Sequence, residues 1–341
     1  MKLRKFGVIC RRIIFLLLLI ITVLYMCAVF EMKTLDGPWN YTTKIHGFAN
    51  EPENTFDIIG VGSSHLYCTF TPVHLYEQTG LRSYILSTAQ QPPEASYHYI
   101  KYALENQKPD VVLIEMYMYI FGEFESEAAN HGAIDNYPNV PNKIQMIKDV
   151  DPADGKENYY FNFMKYHTRW KELTKADFRL DYTKRTDPYH GYVFLTQSAP
   201  NDSKAVTYDD IEELPVIDKY QVWLDRTIEL VRENGSEPVL LISPYRITYP
   251  HTATAKYLHR YAAEKGVTII DTNLDYDKIG LDNQKDFYDN EHLNVYGAEK
   301  TTLYIGNFLK EKLGVEPKQH DDLALWQEDV EFYNAQKAPL S

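Results

Sequence analysis

Short apolar runs alternate with longer amphipathic ones along most of this chain. Five runs have the length and β-branched content of strands: residues 56–62 (FDIIGVG), 82–88 (RSYILST), 110–117 (DVVLIEMY), 238–244 (PVLLISP) and 267–272 (VTIIDT). The third is apolar on both faces. Helical patterns lie between them. One starts at Thr71-Pro72, a cap followed by proline, and stops at Gly80. Others cover 93–107, 218–234 (closed by Gly235), 252–266 and 294–314. Strand–helix alternation with doubly apolar strands predicts an α/β three-layer sandwich with a mainly parallel, five-stranded sheet.

The rhythm fails between residues 120 and 215, where Pro, Asp, Asn and Tyr are scattered and one helix is predicted at 159–173. That stretch reads as an irregular, helical insertion. It divides the sheet domain into 55–119 and 216–314. Residues 31–54 are polar with Gly37-Pro38 and Glu51-Pro52 breaks, and read as a linker. Residues 315–341 read as a polar, loosely held tail.

Residues 13–30 carry no charge, and eighteen helical residues rise about 27 Å, close to the hydrocarbon thickness of a bilayer. A basic tail, residues 1–12, precedes them with Lys2, Arg4, Lys5, Arg11 and Arg12. The positive-inside rule then predicts a single-pass signal anchor in the cell membrane, N-terminus cytoplasmic and the rest extracytoplasmic. A cleaved signal peptide is the alternative, but no clear small-x-small site follows the apolar run. The formal net charge of -13 argues against a nucleic-acid partner. Cys10 and Cys27 belong to the membrane segment, which leaves Cys68 alone, so no intrachain disulfide is expected in the remainder.

Candidate chemistry sits at strand ends, where open parallel sheets place their ligands. The first strand stops at Gly62-Ser63-Ser64-His65. A serine on a tight strand-to-helix turn exposes its hydroxyl, and its own amide faces a developing oxyanion. After the fifth strand, Asp289 and His292 stand three residues apart in DNEH. On a turn, the carboxylate fixes one imidazole nitrogen and leaves the other for a serine proton. Each stretch alone also reads as a capped turn.

Together, a nucleophile turn after the first strand and a D-x-x-H loop before the last helix resemble the SGNH/GDSL hydrolase superfamily, over about residues 55–312. The resemblance implies a flavodoxin-like sheet, Ser64 as nucleophile in place of the usual Gly-Asp-Ser serine, and Asp289 and His292 as its partners. It implies no cofactor and no metal. The family's glycine after the second strand and Gly-x-Asn-Asp after the third are missing, so its oxyanion hole is built differently here. The Ser64 amide is the first candidate donor. Gly62, Gln90, His65 and Tyr117 are the other oxyanion or pocket candidates. Ser63 is the rival nucleophile.

With an anchor and an insertion, the chain is similar to the extracytoplasmic acyl-transfer branch, which includes DltD and the alginate and peptidoglycan O-acetylation partners. That implies O-acylation, acetylation above all, of a cell-surface polysaccharide, beside a membrane-bound O-acyltransferase. A carbohydrate or lipid esterase, a D-alanyl transfer role on teichoic acid, and a non-catalytic envelope scaffold are the alternatives. Asp282, Asp286, Asp289 and His292 lack the spacing of a metal loop. The Tyr-rich insertion, with Arg169 beside Trp170, reads as packing or as a platform for sugar rings.

Overall fold

Alternate residues of the strand runs point to opposite sides of one sheet. Ile59, Val61, Leu86, Val112, Ile114, Leu240 and Ile242 enter one buried cluster; Ile58, Ile85, Leu113, Val239, Leu241 and Ile270 enter another. A run that is apolar at both parities must be covered on both faces. In the computed structural model, which describes residues 2–138, 140–319 and 324–340, the strands are β1 (Ile58–Gly62), β2 (Ser83–Ser87), β3 (Val111–Glu115), β4 (Glu237–Ile242) and β5 (Thr268–Asp271). All pairings are parallel, in the order β2-β1-β3-β4-β5. The α/β fold with helices on both faces is as the pattern predicts.

Before β1 come α1 (Lys2–Phe30) and α2 (Tyr41–Phe48). Between β1 and β2 lie α3 (Ser64–Thr69) and α4 (Pro72–Thr79), and α5 (Pro93–Asn106) leads to β3. The insertion carries α6 (Tyr117–Phe121), α7 (Glu127–Asp135), α8 (Val140–Val150), α9 (Glu157–Tyr160) and α10 (Phe163–Tyr166). Then follow α11 (Asp218–Glu233), α12 (His251–Lys265), α13 (Tyr276–Ile279), α14 (Val295–Leu313) and α15 (Ala324–Lys337). Tyr99, Ile100, Leu224, Ile228 and Leu258 bring α5, α11 and α12 to the first face. Leu66, Leu75, Ile305 and Leu309 bring α3, α4 and α14 to the second.

Three sequence expectations change. Residues 31–54 are not a free linker: α2 buries Ile45 and Phe48 in the core. Its Lys44 is also buried, donating to the Tyr192 carbonyl at 2.5 Å and lying 3.5 Å from Asp187. The segment reads as polar because its polar groups are paired inside the fold rather than solvated. The tail at 315–341 is held by α15, with Trp326 and Tyr333 buried; residues 320–323 and 341 of that tail, and Met1 of the basic tail, lie outside the described residues. The helix predicted at 159–173 is split into α9, α10 and a 3₁₀ turn, His167–Lys171. Its aromatic, Asn and Thr content is poor for a continuous helix. The insertion returns over the open edge of the sheet, where Ile85 N donates to the His190 carbonyl at 3.0 Å, covering backbone that would otherwise be free to pair.

The Phe6–Phe30 part of α1 is long and apolar enough to cross a membrane, by length and composition. Its side chains are exposed around the helix from Arg11 to Met26, while Val29 is buried. At its end, the Phe30 ring lies 5.3 Å from Phe163 and the Phe30 carbonyl accepts from Arg169 at 2.5 Å.

Candidate active site

The strand order reverses between β1 and β3, so the crevice at their C-terminal ends is the switch point of the sheet. β1 ends there in Gly62 and β3 in Glu115. A Cβ on Gly62 would lie 2.4 Å from the Glu115 Cβ. Only glycine lets the two strand ends approach this closely. Glu115 is buried and accepts from Ser63 N at 3.1 Å, Ser63 Oγ at 2.8 Å and Tyr117 N at 2.6 Å. Burial pushes its carboxyl up to about 7, against the pull of those donors.

Ser63 is therefore committed to holding the turn. Its hydroxyl is spent on Glu115 and also accepts from His65 N at 3.3 Å as the cap of α3. Ser64, the next residue, is half-buried and presents the free hydroxyl. Of the two serines, Ser64 is the one whose hydroxyl reaches the D-x-x-H loop.

The D-x-x-H loop is shaped by its own side chains. Asp289 Oδ1 accepts from Glu291 N and His292 N, each at 2.8 Å, closing a tight turn. Asn294 caps α14 by accepting from Tyr296 N and Gly297 N. A Cβ on Gly297 would meet the Asp286 carbonyl at 2.3 Å, so the loop can lie directly on the first turn of α14. α14 in turn packs on the elements after β1: Thr302 Oγ1 accepts from Thr71 N at 2.9 Å and donates to the Thr69 carbonyl at 3.3 Å. This docking brings together two loops more than two hundred residues apart.

The result is a continuous chain of hydrogen bonds. His292 Nδ1 lies 3.0 and 3.1 Å from the two Asp289 carboxylate oxygens, and His292 Nε2 lies 2.9 Å from Ser64 Oγ. Burial pushes the Asp289 carboxyl up, but the hydrogen bond and charge of His292 and two backbone N–H groups outweigh it and hold the carboxyl below its ordinary value. The carboxylate is thus ionised at neutral pH, as is needed to fix the imidazole and to stabilise it once it takes a proton.

The remaining sequence candidates divide. His65 is buried behind the site, stacked on Tyr117 at 3.6 Å between ring centroids, with the His292 ring 5.2 Å away. Burial lowers its pKa to about 4, so it stays neutral at pH 7. Tyr117 donates its hydroxyl to Glu291 at 3.2 Å. His65 and Tyr117 therefore form a wall, and Gly62 is a packing position rather than a donor. Gln90 is exposed in a left-handed turn with φ 50° and is not among the side chains gathered around Ser64.

Sequence reasoning missed Glu115, Glu291 and Tyr67. Glu115 had a signal, as the one charged residue closing an otherwise apolar strand. Glu291 lies inside DNEH and is half-exposed; the His65 imidazole, 3.6 Å away, is the main influence holding its carboxyl low. Tyr67 lies on α3; its hydroxyl is 2.9 Å from that of Tyr41 and within hydrogen-bond range of Ser64. The Trp39 ring is 6.1 Å from Tyr67 and 6.5 Å from Tyr288; Trp39 and Tyr288 are partly exposed, and Tyr67 is buried.

No protein-family model matches the chain, and no curated protein matches it. Among solved structures it is similar to one from Desulfitobacterium hafniense DCB-2 described as a lipolytic protein of the G-D-S-L family. The identity is 12%, over 74% of this chain and 99% of that one, with a TM-score of 0.38. At that score the likeness decides nothing about this chain's chemistry.

Proposed function

We propose that this chain is a serine esterase or acyltransferase that works through an acyl-enzyme on Ser64. The observation that carries the reading is the unbroken Ser64–His292–Asp289 relay. His292 Nε2 takes the Ser64 proton as Oγ attacks an ester or thioester carbonyl. Asp289 holds the ring in the tautomer that leaves Nε2 free and stabilises the imidazolium. The Ser64 amide meets the oxyanion: Ser63 satisfies the N–H groups of His65 and Leu66, and the first N–H groups of a helix have no partner inside it. His292 then returns the proton to the leaving group. A second nucleophile, activated by the same imidazole, releases the acyl group.

We assign that second nucleophile to a sugar hydroxyl of a cell-surface polysaccharide, with acetyl as the acyl group. Two features support this. Trp39 and Tyr288, partly exposed and next to the buried Tyr67, offer aromatic faces suited to pyranose C–H groups. The exposed apolar helix α1, docked on the insertion, suits an anchor that keeps the domain at the outer face of the membrane, next to an acyl-donating membrane partner.

The test is labelling of the full chain with a fluorophosphonate probe. Labelling that disappears in Ser64→Ala and persists in Ser63→Ala supports the reading; equal labelling of Ser64→Ala defeats it. Incubation with an acetyl ester and candidate glycans separates the two fates: acetylated glycan is expected, and free acetate alone under all acceptors removes the transferase half.

A further inference from the structure

A second cluster of titratable side chains lies in the insertion, and the relay at Ser64 does not use it. Glu127, His131 and Asp135 sit four residues apart on α7 and share one face. They border a cavity of about 310 Å³ that also touches Thr34, Tyr41 and Lys165. His131 is only 6% exposed. Its Nδ1 lies 2.9 Å from Asp135 Oδ2, which also accepts from the Tyr166 hydroxyl at 2.6 Å. Tyr159 stacks on the imidazole at 4.1 Å and donates to Asp154 Oδ1 at 2.8 Å.

The other atoms of this group have no such partners. His131 Nε2 makes no hydrogen bond among the described residues, and neither does Asp154 Oδ2, which faces it at 3.7 Å. With the ring proton given to Asp135, Nε2 presents a lone pair to a carboxylate oxygen. Two buried lone pairs at that distance repel unless a proton or a metal ion lies between them. The donor atoms of Glu127, His131 and Asp154 all fall within 4.8 Å of one another. Ligand atoms on one tetrahedral ion with bonds of about 2.1 Å are about 3.4 Å apart, so His131 and Asp154 are nearly in place. Glu127 is half-exposed and free to rotate the rest of the way; its present partner is the ammonium group of Lys165, on a flexible and partly exposed side chain.

We propose that Glu127, His131 and Asp154 bind one divalent transition-metal ion of the zinc class. One buried imidazole and two carboxylates favour such an ion over magnesium or calcium, which prefer oxygen alone. Asp135, Tyr166 and Tyr159 orient the ligands from behind, the arrangement that fixes tautomer and ring plane in metal sites. The ion clamps α7 to the turn before α9. It thereby stiffens the wall of a cavity that reaches Tyr41, whose hydroxyl bonds Tyr67 beside Ser64. The assignment is independent of the chemistry at Ser64.

The experiment uses the untagged full chain in detergent, stripped with chelator and dialysed against micromolar Zn²⁺. Metal per chain is measured by mass spectrometry, and thermal unfolding is followed with and without the ion. One zinc per chain and a rise of several degrees in Tm are expected. His131→Ala and Asp154→Asn should each weaken binding at least tenfold and remove the rise in Tm; Ser64→Ala should change neither. The near-isosteric Asp154→Asn keeps the test valid if His131→Ala does not fold. Absence of stoichiometric zinc, or affinity unchanged in Asp154→Asn, overturns the site and leaves an ion-pair cluster. Equal stabilisation by magnesium at the same concentration overturns the imidazole as ligand.

Discussion

His292 and His131 are held in the same way and face different things. Each has its Nδ1 on an aspartate one turn away in the chain, Asp289 at 3.0 Å and Asp135 at 2.9 Å. At His292 the free nitrogen meets a serine hydroxyl delivered by another element, at the edge of solvent. At His131 it meets a carboxylate, deep in the insertion. A third histidine, His190, has Nε2 on Asp329 at 2.9 Å and its ring stacked on Trp326, and is packed as part of the core. An oriented imidazole is therefore a common device in this chain. The groups around its second nitrogen differ: a serine hydroxyl at His292, Asp154 with Glu127 in reach at His131, and, among the described residues, Glu51 alone, 3.6 Å away, at His190.

The largest effect should come from removing that partner at His292. Ser64→Ala should lower probe labelling and ester turnover by roughly 10³-fold or more. Its Tm should stay close to that of the parent, because the hydroxyl is only half-buried and supports no fold contact beyond the site. Asp154→Asn, the matching change at His131, should leave labelling within twofold. A comparable loss of labelling in both variants would mean that the two histidines are not separate devices.

Asp289→Asn comes next. The amide presents an N–H to Nδ1 or turns the ring to the wrong tautomer, with an expected loss of roughly 10²- to 10⁴-fold in turnover. Asp135→Asn should leave turnover intact and weaken zinc instead. Steady-state kinetics on the two variants, read side by side, decides this; an Asp289→Asn enzyme with full turnover would remove the carboxylate from the relay.

The contrast also explains what was legible in the sequence. The five strands could be read because both parities of each run are apolar, a local pattern. The D-x-x-H turn could be read because one residue type orients the next within a single turn. Glu127, His131 and Asp135 have equally regular spacing, but Asp154 joins them only through the packing of α7 against the turn before α9. No local pattern announces that. The polar reading of 31–54 failed for the same reason. Lys44 looks solvated in sequence and is buried against Asp187 and the Tyr192 carbonyl, nearly 150 residues away.

Glu115 gives a smaller, pH-dependent effect. Its carboxyl rises from an ordinary 4.5 to about 7 on burial, so between those values the folded chain binds more protons than the unfolded one. The stability it contributes is complete below pH 4.5 and is lost as pH rises through about 7. The whole window corresponds to about 3 kcal/mol. Glu115→Gln cannot titrate. It should be less stable than the parent at pH 5, since its amide N–H₂ faces the Ser63 or Tyr117 donors. That deficit should shrink as pH approaches 8. Parallel curves of Tm against pH for the two proteins would show that Glu115 does not titrate in this range.

Ser63→Ala is the mildest change and the sharpest control on Ser64. The substitution removes the α3 cap and one of three donors to Glu115. Losing a cap of this kind costs about 1 kcal/mol, and an unfolding titration in urea should register it as a lower midpoint with an unchanged slope. The Ser63 backbone N–H still donates to Glu115 Oε2, so the turn keeps its path and Ser64 keeps its distance from His292. Labelling should therefore survive with at most a severalfold fall in rate. Loss of labelling as complete as in Ser64→Ala would move the nucleophile to Ser63 or show that the turn needs both hydroxyls. Adjacent serines on one turn then differ as His292 and His131 do, by the partner that each side chain has already taken.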